Sequence, residues 1–199
     1  MPLTREDLQG YMENWDAGTR RIIEERMKSR FRRERLERLA PDEAEIMKAV
    51  LDRLIPQSEG ERVDLVGFMD WAIGKPLGRG DRPEGIPAEE DLFRKGLAGV
   101  EETSQAVFGK RFVDLNGAEQ DRILTAVQEG SAQGPVWEKI PSGYFFSRLL
   151  MKALTGYCAH PLVWLRMGFP GPSYPEGYVW ITGMEIQQRR KRFPGWKTF

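Results

Sequence analysis

Residues 41–56 read PDEAEIMKAVLDRLIP, a sequence with a clear helical pattern and clear signals for both helix ends. Proline suits the first position of a helix, and the acidic residues that follow it favour the positive end of the helix dipole. Apolar residues then recur at helical spacing until Pro56 ends the pattern. The stretch therefore predicts an amphipathic helix with an apolar face formed by Ile46, Met47, Val50, Leu51, Leu54 and Ile55.

Three segments on the carboxyl side of this helix repeat its pattern. Asp64 is placed to cap a helix over residues 64–73. A longer helix starts near Pro87 and ends at Gly109, and the pair Asn116 and Glu119 resembles a capping box for the next one. Residues 74–87 hold four Gly and three Pro between these segments, which predicts a loop.

A last strong helix follows, and Ser142 is placed to cap it. Its apolar positions predict one buried face formed by Phe146, Leu149, Leu150, Ala153, Leu154 and Tyr157. No segment shows the alternation of apolar and polar residues that is typical of a strand. The chain is therefore predicted to be all-α, with a compact helical core domain over residues 38–160.

Residues 1–37 are predicted to form a charged helical arm with few large apolar residues. Seven basic residues face two acidic ones between positions 26 and 39. Two interpretations of this basic run stay open, a contact with an anion or a partner and a solvated helix face.

Residues 161–199 are predicted to form an extended tail that wraps the core or a partner. Gly and Pro alternate from Gly168 onwards, which forbids a regular helix there. Nine of the 21 aromatic residues lie in residues 157–199, and aromatic side chains dominate the energetics of protein interfaces. We therefore expect a partner interface formed by Tyr157, His160, Trp164, Phe169, Tyr174, Tyr178 and Trp180.

Composition excludes several classes of function. Thirty Lys and Arg balance thirty Asp and Glu, so net charge gives no reason to expect a nucleic acid or an anionic membrane as partner. One Cys and one His exclude an internal disulfide and every Cys/His zinc pattern. No stretch approaches the roughly 20 apolar residues of a membrane helix, so we expect no direct membrane insertion.

The residues offer little catalytic chemistry. His160 is the only histidine, and it lies two positions after Cys158 at the predicted end of a helix. Neighbouring side chains at that spacing diverge, which disfavours a Cys–His pair. No glycine pattern matches a phosphate loop or a dinucleotide site. We expect no catalytic residue, no cofactor site and no metal site in this chain.

Four groups of residues follow one another in a characteristic order. They are LAPDE at 39–43 leading into LDRLIP at 51–56, then FRKGL at 93–97, then FGKRF at 108–112 with Leu115 and Glu119-Gln120, and finally Phe145-Phe146, Gly156-Tyr157, His160-Pro161 and GFPGP at 168–172. Over about residues 38–178 the chain resembles the gluconate 2-dehydrogenase subunit 3 family.

The resemblance implies a non-catalytic small subunit of an FAD-dependent sugar or sugar-acid oxidoreductase complex. It implies a large flavoprotein partner of the glucose–methanol–choline oxidoreductase type, which holds the FAD, and in some assemblies a cytochrome subunit. Two other functions stay open: a helical adaptor or assembly chaperone for an unrelated enzyme, and an independent enzyme or nucleic-acid-binding module.

Two further expectations concern compartment and covalent linkage. Arg20-Arg21 is not followed by the apolar run of an export signal, so we expect a cytoplasmic protein, or a periplasmic one that is co-exported with a partner carrying the signal. Cys158 lies beside the expected interface and could form a disulfide with a partner chain. The alternative for Cys158 is a small buried apolar residue.

Overall fold

The computed structural model describes residues 4–13, 15–57, 60–75, 83–169 and 171–172. Within these residues the chain forms eight α-helices, three short 3-10 helices and no strand, which confirms the all-α prediction. The α-helices are α1 (Arg5–Glu13), α2 (Ala17–Arg30), α3 (Pro41–Leu54), α4 (Leu65–Ile73), α5 (Glu89–Phe108), α6 (Gly117–Glu129), α7 (Ser142–Cys158) and α8 (Pro161–Arg166). The 3-10 helices are Arg33–Arg35, Phe112–Asp114 and Pro135–Glu138.

Helix α3 is the amphipathic helix that the sequence predicts after Pro41. It packs against α4, α5 and α6, while α7 crosses α4, α5 and α6 from the other side. Met47 and Val50 of α3 have no exposed surface, and Phe93 of α5 and Leu149 of α7 are equally buried. Burial of such apolar side chains is the main stabilising contribution to a fold of this kind.

The helix ends show how far local sequence determined the elements. Pro41 starts α3, and the Asp64 side chain accepts the N–H of Gly67 at the start of α4. Asn116 and Glu119 form the predicted capping box of α6, and Gly109 takes the left-handed conformation that ends α5. Ser142 does not cap α7; it is the first helical residue, after Pro141, so this prediction is wrong.

Close approach of α7 to its neighbours depends on two glycines. A Cβ atom at Gly156 would overlap the ring of Phe68 on α4, and one at Gly96 of α5 would overlap the ring of Phe145 on α7. Absence of a side chain at these two positions lets aromatic rings of the facing helix lie directly on the backbone. The crossing of α7 over α4 and α5 therefore depends on glycine.

The amino-terminal segment contributes to the same apolar core. It forms two helices instead of one, because Asp16 interrupts the pattern and caps α2 by accepting the N–H of Thr19 at 3.0 Å. Leu8, Met12 and Ile23 are buried in the core cluster that α3 to α7 form. The segment that was predicted as an arm thus lies on the helical domain.

Residues 32–39, called here the anchor segment, hold the amino-terminal segment on α4. The buried carboxylate of Asp70 accepts three backbone N–H groups, from Glu37, Arg38 and Leu39, each at 2.8 Å. The Asp64 carboxylate also accepts the N–H of Arg33. The carboxylates of Asp64, at the start of α4, and Asp70, within α4, therefore both bind the backbone of the anchor segment, more than 30 positions earlier in the chain.

Helix α8 is absent from the sequence prediction, which expects an irregular tail from residue 161. Six residues are too few to show helical periodicity, but Pro161 occupies the first helical position, where proline is favoured. Leu162 and Val163 are almost fully buried. The start of the predicted tail thus packs against the helical core.

Two observations bear on the other predicted segments. Residues 83–88, the described end of the loop predicted over 74–87, lie outside the helices. Among the described helices, none is both long and apolar enough to cross a lipid bilayer. The boundaries at 37/38 and 160/161 stay predictions.

Candidate partner interface

The turn between α7 and α8 places His160 inside the molecule. Its Nδ1 atom accepts the N–H of Leu162 at 3.2 Å, so the ring caps α8, and its edge packs on Phe31 at a centroid distance of 4.8 Å. Burial, with the positive charge of Arg166 as a smaller cause, lowers the pKa of His160 to about 4. The imidazole is therefore neutral at physiological pH and has a structural role in the chain.

Four aromatic rings join α1 to α8. The Tyr11 ring meets Trp15 edge-on at 5.0 Å, Trp15 lies 6.1 Å from Trp164, and Trp164 meets Phe169 edge-on at 5.6 Å. The Tyr11 hydroxyl donates to the carbonyl oxygen of Phe169 at 2.7 Å, and burial raises the pKa of Tyr11 above its ordinary value. Helix α1 thereby fixes the chain that leaves α8.

Trp164 links this aromatic cluster to the end of α7. Its indole Nε1 donates to the carbonyl oxygen of Cys158 at 2.6 Å, which satisfies one of the free carbonyls at the helix end. The Trp164 ring is half-buried, while the Phe169 ring beside it is 44% exposed. The cluster is therefore covered on the α1 side and open to solvent at Phe169.

An apolar stripe on the outer side of α7 runs towards the same end. Met151 is 64% exposed and Leu154 is 39% exposed, and the exposed Cys158 follows them at helical spacing. We call Met151, Leu154, Cys158, Trp164 and Phe169 together the α7–α8 face. Clustered exposed apolar side chains are typical of a surface that another molecule covers.

The structure places the predicted interface residues in different environments. Tyr157 and Trp164 are half-buried and Phe169 is exposed, so these three are accessible at or near the α7–α8 face. His160 is 8% exposed and makes its contacts within the chain. Tyr174, Tyr178 and Trp180 lie outside the described residues. Partner contact by this set stays a prediction.

Two side chains of the α7–α8 face were not recognised from the sequence. Leu154 was predicted on the buried face of α7, but that face is centred on Phe145, Leu149, Ala153 and Gly156, which leaves Leu154 at its solvent edge. Met151 lies on the side of α7 opposite the buried face and is exposed. A methionine on the polar side of an otherwise amphipathic helix is the signal that could have identified this stripe.

Cys158 is exposed, which excludes the buried alternative for this residue in the chain by itself. Its sulfur is accessible to a partner chain, and it lies next to the carbonyl group that Trp164 binds. The inter-chain disulfide stays a prediction.

Two observations concern metal and ligand binding by the described residues. No group of three or more His, Cys, Asp or Glu side chains among them is arranged to hold a metal ion. An open depression of about 310 Å³ lies between α3 and the anchor segment, lined by Arg33, Glu45, Lys48, Ala49, Asp52, Val113 and Gln120. None of these seven lining residues is aromatic.

Comparison with known proteins gives one match. A family model described as Gluconate 2-dehydrogenase subunit 3 matches residues 41–171, which include α3 to α8. No curated protein and no solved structure matches the chain.

Proposed function

The chain belongs to the gluconate 2-dehydrogenase subunit 3 family, and from this membership we propose that it is the non-catalytic small subunit of an FAD-dependent oxidoreductase. The complex oxidises a sugar or a sugar acid, and a larger flavoprotein of the glucose–methanol–choline type binds the FAD. The observation that carries the proposal is the family match over residues 41–171. A cytochrome subunit is added in some assemblies.

The α7–α8 face supports the proposal because it offers the chemistry of a docking surface. Its exposed side chains are those of Met151, Leu154, Cys158 and Phe169, and Trp164 beside them is half-buried. Aromatic anchors at interfaces contribute several kcal/mol with few rotamers to immobilise. We place the flavoprotein on this face.

The depression between α3 and the anchor segment does not have the lining of a flavin site. The depression near Arg33 is lined by two cations and two carboxylates, of which Lys48 and Asp52 bind each other. A flavin needs an apolar slot with a few convergent polar groups. The described chain thus fits a role in which it supports a partner that holds the FAD.

Such a subunit acts on its partner through binding. A chain that binds only the folded flavoprotein shifts the folding equilibrium of that protein towards the native state by mass action. Loss of the subunit is therefore expected to lower the amount of folded, flavin-loaded enzyme, with little change in the turnover of each flavin that remains.

Co-purification tests the proposal. The full-length chain carries an affinity tag in its native organism, and the eluate is separated by size and examined for visible flavin absorbance. We expect the 22.9 kDa chain to elute with a larger yellow polypeptide. Elution as a lone 22.9 kDa species without flavin would refute the proposal, and capture of an enzyme without flavin would favour the adaptor alternative.

A pair of matched variants locates the interface. Met151→Glu places a charge on the α7–α8 face, whereas Val107→Glu places the same charge on an exposed apolar position of α5. Both side chains are exposed, so both variants are expected to fold. Met151→Glu should weaken association with the flavoprotein at least tenfold and Val107→Glu less than twofold; equal effects would move the interface elsewhere.

A further inference from the structure

A second surface, formed by α2 and the end of α4, combines cations with an aromatic ring. Ile22, Arg26 and Arg30 follow one another at intervals of four on α2, so they share one side of the helix. Trp71 and Lys75 continue the row across α4. We call these five residues the Trp71 basic face.

Two cations lie over the same ring at the centre of this face. The Arg30 guanidinium carbon is 4.4 Å from the centroid of Trp71, and the Lys75 ammonium is 5.1 Å from it. Both distances are within the range of cation–π attraction. The Trp71 ring thus restrains the Arg30 and Lys75 side chains, so their positive charges have defined positions at the surface.

Within the part of the chain that the structure describes, no carboxylate pairs with the cations of this face. Among the residues that the structure describes, Arg26, Arg30 and Lys75 form no ion pair, whereas Arg38, Arg53, Arg62, Arg94 and Arg111 each contact a carboxylate. Arg26 and Arg30 are four positions apart, where like charges repel. Burial, and to a lesser extent the charge of Arg26, lowers the pKa of Arg30.

Charge is also distributed unevenly along the whole chain. Residues 26–38 and 186–199 together hold twelve basic and two acidic side chains, while the rest of the chain holds eighteen basic and twenty-eight acidic ones. The net charge of zero therefore results from two basic segments and a larger acidic remainder. Extended polyanions, such as a nucleic acid or an anionic membrane, would meet the acidic remainder as well as the basic segments and be repelled.

We infer that the Trp71 basic face docks on a carboxylate-bearing protein surface of the partner subunit. Arg26, Arg30 and Lys75 bind the carboxylates, and Ile22 and the Trp71 ring supply apolar contact beside them. Arginine and tryptophan are enriched among the residues that dominate interface energetics, and charge complementarity raises the rate of association. The inference rests on the proposed function for the identity of the partner. The α7–α8 face and the Trp71 basic face would then form two separate contacts.

Charge-reversal variants of the full-length chain test this inference on the isolated complex. The variant Arg26→Glu/Lys75→Glu changes the face, and Lys95→Glu/Lys139→Glu changes two exposed, unpaired lysines elsewhere by the same total charge. In 50 mM salt we expect the face variant to associate with the flavoprotein at least tenfold more slowly and the control within twofold of wild type. In 500 mM salt the difference should largely vanish, because screening shortens the range of the interaction. Equal rates for the two variants in low salt would overturn the inference while leaving the proposed function intact.

A second measurement needs no flavoprotein. Its result therefore distinguishes failure of this inference from failure of the proposed function. Wild-type chain is titrated in 50 mM salt with a Glu-rich decapeptide, a single-stranded DNA decamer and vesicles containing phosphatidylglycerol. We expect binding of the peptide that the face variant loses and the control keeps. Absence of peptide binding, or tighter binding of the DNA or the vesicles, would overturn the inference. A dimer of the wild-type chain that the face variant abolishes would overturn it too, since a second copy would then be the occupant. If the face variant is misfolded by circular dichroism, Arg26→Gln/Lys75→Gln replaces it under the same criteria.

Discussion

Replacement of Asp70 by asparagine is the most direct test of how the anchor segment is held. The carboxylate accepts the N–H of Glu37 through Oδ2 and the N–H groups of Arg38 and Leu39 through Oδ1, all at 2.8 Å. The side chain is 4% exposed. Water therefore has little access to replace these bonds while the segment stays docked.

The expected loss follows from this geometry. Asparagine keeps one acceptor oxygen, which can accept either the N–H groups of Arg38 and Leu39 or the N–H of Glu37. Its amide NH2, itself a donor, then faces the remaining backbone N–H. A hydrogen bond to a charged group contributes roughly 1.5–3 kcal/mol. We expect the free energy of unfolding to fall by about 2 kcal/mol for Asp70→Asn and by about 3–4 kcal/mol for Asp70→Ala. The loss reaches its upper limit when the anchor segment detaches.

Urea denaturation followed by far-UV circular dichroism measures the loss, and hydrogen exchange of the amides of residues 37–39 locates it. Asp114→Asn is the matched control, since Asp114 is exposed and lies outside the anchor contact; it should change stability by less than 0.5 kcal/mol, as surface substitutions usually do. If Asp70→Asn loses no more than its control, and the three amides exchange at the wild-type rate, the carboxylate does not hold the segment.

Three further predictions concern the body of the domain and the end of α7. Gly156→Ala should cost about 2 kcal/mol in urea denaturation because its Cβ would overlap Phe68, whereas Gly10→Ala, with no atom within 4 Å of the new Cβ, should not destabilise; equal stability of the two variants would contradict this packing. His160 has a folded pKa of about 4, below the ordinary value of about 6.5, so the unfolded chain binds more protons between these values. The unfolding free energy should therefore fall, by up to roughly 3 kcal/mol, as pH is lowered from about 6.5 to about 4; His160→Asn, which can still cap α8, should flatten this dependence and keep turnover per flavin within about twofold, and an unchanged pH profile would refute the assignment. Cys158 should link to the flavoprotein as a reducible band of summed mass on a non-reducing gel, absent in Cys158→Ser; two separate bands in the native complex would reject the link.

The helical class and the boundaries of α3 to α6 could be predicted from local residue patterns alone. Signals of this kind act within a few residues, so Pro41, the Asn116–Glu119 capping box and the glycine that ends α5 could be recognised without knowledge of any distant contact. The family resemblance is likewise a property of residue order, and the match over residues 41–171 confirms it.

Which helix surfaces are buried and which stay exposed depends on how the helices pack, and local patterns do not predict it. Nothing in the local sequence distinguishes Asp70 from a solvent-exposed acid, yet its carboxylate accepts backbone N–H groups more than 30 positions away. Leu154 has helical spacing that fits a core face, yet the close contact at Gly156 turns that face away from it. Residues distant in sequence come together only when helices pack, because periodicity specifies the faces of one helix and carries no information about which neighbour will cover them.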